Sequence, residues 1–274
     1  MEDSKEIKVE NHSYQCPSCG GNMTFDPLKY SLYCEYCETS IDLQAIKSSE
    51  EYDFSLGLAE DQKWDNENIV FHCEYCGADN VKEKGSLSNN CPFCGSDSII
   101  ALDEIPGIKP HRVIPFKITK NESLNRFHKS IKKKLFVPNE IKKNFPETKL
   151  NGIYIPSWTF DASASAYYEG RLGKRYTRTV GSGKNRRTVT EIRWFRISGS
   201  KNFIFDDTLV ISSKTLKDKQ VEPVAPFYTN DAIVYQDEYL SGFSAEHYSV
   251  SLNDGWKIAQ DKNLSVMRRG ILND

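Results

Sequence analysis

Apolar positions recur along this chain with different periods, and each period predicts a different element. Residues 23–25, 31–34 and 40–43 are short apolar stretches bounded by turn residues, the pattern of three brief strands. Residues 111–118 read as a strand leading into a helix. In that helix Leu124, Phe127, Ile131 and Leu135 recur at helical spacing on one face, with Lys129, Lys132, Lys133 and Lys134 largely off it. Thr119-Lys-Asn-Glu122 fits a capping box ahead of it, and Pro138 is the expected stop. A second short helical piece is expected over 139–145, closed by Pro146.

Beyond it, residues 151–160 (NGIYIPSWTF) read as a strand, and 162–171 alternate, with Tyr167 and Tyr168 in the run. Gly181-Ser182-Gly183 separates two basic, β-branched stretches, 175–180 and 186–196, which predicts a hairpin with a flexible tip. Residues 202–211 supply another strand. The stretch 229–274 looks more helical, with Ala232, Tyr235 and Leu240 followed by a periodic run over 256–267.

Composition narrows the class. The chain has 274 residues, 38% of them hydrophobic and 27% charged, enough to build a packed core in one to three domains. No apolar run approaches the length of a transmembrane helix. The first residues, MEDSKEIKVENHS, are acidic and polar, unlike a secretory signal or transit peptide, so a cytoplasmic location is expected. The net charge of −2 conceals a strong asymmetry. Residues 1–104 carry 7 Lys/Arg against 21 Asp/Glu, a net of −14; residues 105–150 carry 12 against 3, a net of +9; residues 151–274 carry 17 against 14. Electrostatic reasoning must therefore go segment by segment.

The cysteines carry the clearest chemistry. All eight lie in four Cys-x-x-Cys pairs: Cys16/Cys19, Cys34/Cys37, Cys73/Cys76 and Cys91/Cys94. Fourteen residues separate the two pairs of each half, and the whole unit repeats at an offset of 57. Two such turns aim four thiolates at one point, the geometry of a closed tetrahedral zinc site. Four disulfides are disfavoured in a reducing compartment, and a redox Cys-x-x-Cys usually stands alone. Gly20, Gly77 and Gly95 follow three of the pairs, where a positive φ lets backbone N–H groups curl toward sulfur. Glu38 follows the remaining pair, which predicts modest strain or a different turn there. His72 beside Cys73 is expected to be a bystander. Two structural Zn²⁺ ions are thus expected, with no open coordination position for Lewis-acid catalysis. Each half-unit of about 30 residues is too small to fold on its own core, so metal would supply much of its folding free energy. Each tetrathiolate zinc centre also carries −2, which deepens the acidity of the first half.

Cys16-Pro-Ser-Cys-Gly-Gly-Asn-Met-Thr-Phe-Asp-Pro27, closed by Cys34-Glu-Tyr-Cys37, is similar to the opening of a bacterial and phage family. Its members are labelled TFIIB-type zinc ribbon, or primosomal protein N′ (replication restart helicase)-like. Ile114-Pro-Phe116, Leu150-Asn-Gly-Ile-Tyr-Ile-Pro156 and Tyr239-Leu-Ser-Gly-Phe243 resemble landmarks of that family's remaining domain. The resemblance implies the zinc-binding part and not the helicase motor. A P-loop needs G-x-x-x-x-G-K-[ST] opening a helix. The nearest string, Gly181-Ser-Gly-Lys-Asn185, has Arg178 for the first glycine, Asn185 for the hydroxyl, and strand-like flanks. Some family members carry membrane segments beyond the matched region; this chain shows none.

Two basic surfaces are candidate nucleic-acid contacts. Lys132, Lys133 and Lys134 sit on the helix after Thr119, where a solvated face or an intramolecular partner for the acidic half explains them equally well. Residues 165–196 carry nine Lys/Arg against two acids, with Tyr167, Tyr168, Tyr176, Trp194 and Phe195 interleaved. Arg175, Arg178, Lys184, Arg186, Arg187 and Arg193 are the candidates there, by stacking and phosphate neutralisation. The alternative is that the aromatic positions face a core and the arginines merely solvate the other side. No catalytic constellation is present: the five histidines are scattered, Ser130-Ile-Lys-Lys133 is a chance S-x-x-K, and Asp206-Asp207 reads as a turn.

The expected fold is α+β: two tandem small zinc ribbons followed by an α+β domain with an antiparallel sheet. Residues 1–12 form a tail, 13–46 the first ribbon, 47–66 an acidic linker, 67–102 the second ribbon and 103–274 the larger domain. In the linker, Phe54, Leu56, Leu58 and Trp64 are candidates to dock on a neighbour. The expected function is non-enzymatic binding of nucleic acid in replication or transcription, without a small-molecule substrate. The alternative is a protein–protein adaptor whose acidic ribbons dock a partner or the chain's own basic domain, possible also at a membrane-associated complex.

Overall fold

The computed structural model describes residues 14–48, 50–59, 68–83, 90–96, 99–102, 107–134, 136–138, 150–213, 215–216 and 227–273. The expected tail, the helical piece at 139–145 and Trp64 lie outside the described residues. The chain divides into two compact units, residues 1–158 with 211–255, and residues 159–210 with 256–274. The architecture is mixed α+β with mainly antiparallel sheets. The sequence boundaries at 46, 66 and 102 mark changes of composition; the compact units are divided elsewhere.

In the first unit, β1 (Met23–Asp26), β2 (Ser31–Cys34) and β3 (Ser40–Asp42) form an antiparallel meander. Met23 lies opposite Cys34 and Phe25 opposite Leu32, so one face collects four buried side chains. The linker contributes a short helix, α1 (Phe54–Ala59). Of the residues expected to dock, Phe54 is half-buried. Tyr52 stacks on His111 at 3.9 Å, and the Arg112 guanidinium donates to the Glu50 carbonyl, while Leu56 and Leu58 stay exposed.

A five-stranded sheet follows. It is built from β4 (Asn68–Cys73), β5 (Asp79–Glu83) and β6 (Ile99–Leu102), with β8 (Ile153–Tyr154) and β12 (Ser244–Glu246) added at its side. The order is β6-β4-β5-β12-β8, antiparallel except for the β12–β8 pair, which is parallel. Val70, Val81, Ala245 and Tyr154 stand opposite one another in successive strands, a single apolar row across the sheet. The strand expected over 111–118 is reduced to β7 (Arg112–Val113), which pairs with β11 (Ile233–Val234).

Helix α2 (Lys120–Lys132) begins where its capping box predicts. Thr119 Oγ1 accepts from the Glu122 N–H at 3.2 Å. The Glu122 carboxylate accepts from Arg126 Nε at 3.0 Å. Ile131 is buried, Leu124 and Phe127 are half-buried, and the helix stops short of Pro138.

The stretch after 229 departs most from expectation. It is a 3₁₀ turn (Thr229–Asp231), strand β11, a second 3₁₀ turn (Asp237–Leu240) and strand β12, and only then a helix. Burial against both sheets overrides its weak helical periodicity. Tyr239 is wholly buried and meets Phe25 edge-on, with centroids 4.9 Å apart. Leu240, the next residue, packs instead with Val70, Val81 and Ala245. Ser241 Oγ donates to the Met23 carbonyl at 2.8 Å, and the Phe25 N–H donates to the Ser241 carbonyl at 3.0 Å. Gly242 has φ +79°, and a Cβ there would sit 3.0 Å from Thr24, so both conformation and space require glycine. Phe243 stacks on Phe116 at 4.8 Å and meets Tyr154 edge-on at 5.6 Å. One continuous segment thus covers the inner faces of both sheets.

In the second unit, β9 (Ser157–Val180) and β10 (Arg187–Ile211) form a two-stranded sheet. A connection this short permits only antiparallel pairing. A 3₁₀ turn, Gly183–Asn185, closes the tip. The long helix α3 (Leu252–Leu272) supplies this unit's other layer. Phe160 meets Trp256 at 5.5 Å, Thr208 Oγ1 donates to Asn263 Oδ1 at 3.0 Å, and Lys201 Nζ donates to the Gly270 carbonyl at 3.0 Å. Asp206-Asp207 is not a turn but lies within β10. Asp207 sits at φ +52°, and its N–H donates to Asp161 Oδ1 at 2.7 Å.

If Tyr239 holds the sheets of the first unit together, Tyr239→Ala should lower the free energy of unfolding by about 3–5 kcal/mol, read from urea denaturation. A loss below about 1 kcal/mol would show that the segment merely rests on the sheets.

Candidate metal centres and basic surfaces

Both candidate metal centres are built from the same turn, used four times. In each, the N–H of the residue after the second cysteine donates to the carbonyl of the first. These bonds are Gly20 to Cys16, Glu38 to Cys34, Gly77 to Cys73 and Gly95 to Cys91, at 2.8–2.9 Å. The N–H of the first cysteine returns a bond to the carbonyl five residues on, at 2.7–3.0 Å. The turn needs a left-handed residue in fourth place after the first cysteine. Gly20, Gly77 and Gly95 adopt φ +73° to +77° there, and Glu38 adopts +62°. Of the two outcomes anticipated for Glu38, strain is the one realised: the turn is kept and a side-chain-bearing residue is forced into it.

The turns bring Cys16, Cys19, Cys34 and Cys37 together, and separately Cys73, Cys76, Cys91 and Cys94; within each set all sulfurs lie within 4.8 Å of one another. Cys16 Sγ lies 3.4 Å from Cys37 and Cys19 3.5 Å from Cys34; the matching separations in the second set are 3.6 and 3.7 Å. These are far from the about 2.05 Å of a disulfide. They approach the about 3.8 Å between ligands of a tetrahedral ion with metal–sulfur bonds of about 2.3 Å. The first cysteine of each pair is buried and the second exposed, so each centre is half embedded in its sheet.

Proton affinity within each set is uneven. Burial pushes Cys16 up, but N–H groups of Ser18 and Cys19, the Cys37 thiol and the Thr39 hydroxyl outweigh it and bring it down to about 6. Cys73 is likewise lowered to about 7 against the opposing effect of burial, chiefly by the N–H groups of Cys76 and Tyr75. At Cys19 the Gly21 N–H works downward, yet the thiols of Cys37 and Cys34 push it up to about 12. Burial, with the thiols of Cys73, Cys94 and Cys91, does the same to Cys76, also about 12. Four sulfurs this close ionise together only around a cation, which is what a metal ion supplies.

The surroundings of the two centres differ. Thr39 Oγ1 lies 3.1 Å from Cys37 Sγ in the first. In the second, Asn80 is fully buried and directs Nδ2 toward Cys91 Sγ at 3.8 Å. His72 is not a ligand: its Nδ1 is 2.6 Å from Asp79 Oδ1, the residue directly opposite on β5. Cysteine spacing gave no sign of Asn80, which becomes legible only when β4 and β5 are paired.

The candidate cations fall in both units. Lys132, Lys133 and Lys134 are exposed at the end of α2 in the first unit. Two other cations of the basic stretch are spent internally, Lys109 on Asp237 at 2.8 Å and Lys117 on Asp231. Arg175, Arg178, Lys184, Arg186, Arg187 and Arg193 are exposed on the hairpin of the second unit. The Gly181–Asn185 string closes a hairpin, and no helix follows it as a P-loop requires. No helix among the described residues is long and apolar enough to cross a membrane.

No family model matches the chain, and no solved structure does. The chain is similar to the uncharacterized protein YdjG of Bacillus subtilis (strain 168), 29% identical over 251 residues, which cover 91% of this chain and 70% of that protein.

Replacing the strained residue is a direct test of the shared turn. Glu38→Gly should stabilise the protein by about 1 kcal/mol, read as an upward shift of the thermal unfolding midpoint. An unchanged or lower midpoint would mean that the Glu38 side chain contributes something the turn geometry does not.

Proposed function

We propose that this is a non-enzymatic zinc-ribbon protein that contacts nucleic acid through the β9–β10 hairpin, in a replication- or transcription-related role. The observation that carries the reading is the exposure of the hairpin aromatics among cations. Trp194 is 63% exposed, and Tyr176 and Phe195 also lie open, so the alternative in which these rings face a core loses its support. Net positive charge over residues 165–196 supplies the attraction to phosphate.

In this reading both Cys₄ centres hold Zn²⁺, a soft-ligand ion that suits four thiolates. With four protein ligands the ion has no open position and acts structurally. Cys16, Cys19, Cys34 and Cys37 would hold one ion and Cys73, Cys76, Cys91 and Cys94 the other. The kinship we infer is with the TFIIB-type zinc-ribbon proteins labelled primosomal protein N′-like, without the motor, and the compartment with the cytoplasm, where such thiols stay reduced.

One observation favours the adaptor reading as the second choice. The two Cys-Glu-Tyr-Cys turns each present a tyrosine at the tip, Tyr36 81% and Tyr75 80% exposed. Exposed tyrosines beside glutamates suit a protein partner.

Two measurements test these readings. Metal analysis of protein purified under reducing conditions should give two zinc per chain, and fewer would overturn the zinc assignment. Arg186→Glu with Arg187→Glu should weaken nucleic-acid binding by at least about tenfold at low salt; an unchanged affinity would overturn the hairpin assignment and leave the adaptor reading in front.

A further inference from the structure

We propose that the outer half of the β9–β10 hairpin is a two-stranded arm that seats in the major groove of duplex DNA, not a platform on which single-stranded bases stack. The proposal rests on the nucleic-acid reading above and specifies its substrate. Four features of the arm lead to it.

Among the described residues, both faces of the arm lie open. The contacts of α3 reach Phe160, Lys201, Phe203 and Thr208, near the base of the hairpin. From 169 to 198 nearly every residue is exposed. Single-strand platforms are instead one face of a sheet with a core behind it.

Cations project from both faces. Arg178 Nε bonds Glu191 at 2.7 Å, the Arg193 guanidinium lies 5.0 Å over the Tyr176 ring, and Lys174 Nζ lies 6.0 Å over Phe195. These six residues share one face. On the other, Trp194 lies against Gly173, where a Cβ would come within 3.1 Å of the indole, and Arg196 bonds Glu169 at 3.1 Å. Strand alternation puts Arg171 and Arg175 on that second face.

The rings are already engaged. Tyr176 and Phe195 each carry a cation over the ring, and Trp194 rests on the backbone of β9. Stacking of bases would have to displace those contacts. Groove binding keeps them, because the rings then serve as supports that hold cationic side chains in place.

Charge and size select the occupant. Both acids of residues 165–196 are spent on Arg178 and Arg196, and the net charge of this stretch is +7. That opposes pairing of two copies through the same surface and complements a polyanion. Two strands about 4.8 Å apart, with their side chains, fit a B-form major groove about 12 Å wide. The A-form RNA major groove is too narrow for side chains to read.

The test uses fluorescence anisotropy of the full chain, zinc-loaded, against a labelled DNA duplex of about two turns, one of its strands, the corresponding RNA duplex, and anionic phosphatidylserine vesicles. We expect the DNA duplex to bind at least about tenfold more tightly than the strand or the RNA, with a salt slope worth roughly five phosphates. Arg171→Glu with Arg175→Glu should cost at least about tenfold, and Tyr176→Leu no more than about twofold. All these residues are exposed, and circular dichroism with metal content confirms that each variant is folded. Equal or tighter binding of the single strand, with a tenfold loss in Tyr176→Leu or Trp194→Ala, would overturn the groove proposal and leave the nucleic-acid reading intact. Binding to vesicles alone, or to nothing at low salt, would overturn both.

Discussion

A β-meander of three short strands cannot bury a core by itself, and this constraint governs the whole first unit. Met23, Phe25 and Leu32 face one way from the first meander, and Val70 and Val81 face one way from the second sheet. The Cys-x-x-Cys turns close one end of each but do not cover these faces. The segment from Tyr239 to Glu246 does. It places a tyrosine on the first face and a leucine on the second, then enters the second sheet as strand β12. Three stretches singled out in the sequence, 114–116, 150–156 and 239–243, meet here. Phe116 of the first and Tyr154 of the second both pack against Phe243 of the third. They are far apart in the chain because Phe116 follows β7, Tyr154 lies in β8 and Phe243 precedes β12.

The cysteine clusters are local by comparison. Each Cys-x-x-Cys turn is specified by residues within six positions of one another, which is why four copies share one hydrogen-bond pattern. What is not local is the pairing of turns across a hairpin and the groups that surround the sulfurs. Thr39 follows Cys37 by two residues and is part of its turn. Asn80 reaches Cys91 across eleven positions and exists as a neighbour only because β5 carries it there. The clusters therefore share ligands and turn geometry while differing in what polarises them.

The second unit shows how far a helix can support a sheet. A two-stranded ribbon is marginal in water without a third strand or a helix against it. Helix α3 supplies that layer at the base of the hairpin, where Phe160 and Val210 are buried. Farther out, stability comes from cross-strand pairs: charge on charge at Arg178 and Glu191, cation on ring at Arg193 and Tyr176. Such pairs contribute only about 0.2–1 kcal/mol each. The arm is thus held by its own side chains and leaves its excess positive charge facing solvent.

The sequence by itself determined whatever depends on near neighbours. The two clusters of cysteines, the positive-φ positions after three cysteine pairs, the Thr119 cap and the hairpin tip at 181–183 were all legible, because each is fixed by a few adjacent residues. The three strands of the first meander were legible for the same reason. Tertiary structure decided the rest. Residues 232–240 carry a helical pattern, yet they fold as a strand and a 3₁₀ turn because two apolar faces must be covered at once. The helix expected over 256–267 extends to Leu252–Leu272, and near its end Gly270 meets Lys201 and Phe203 of β10. The parallel pairing of β12 with β8 joins residues about 90 positions apart in the chain, which no local pattern encodes. Whether the hairpin aromatics were core or surface was undecidable from alternation alone: a period of two says that faces differ, and only the extent of α3 says which part of the ribbon is covered.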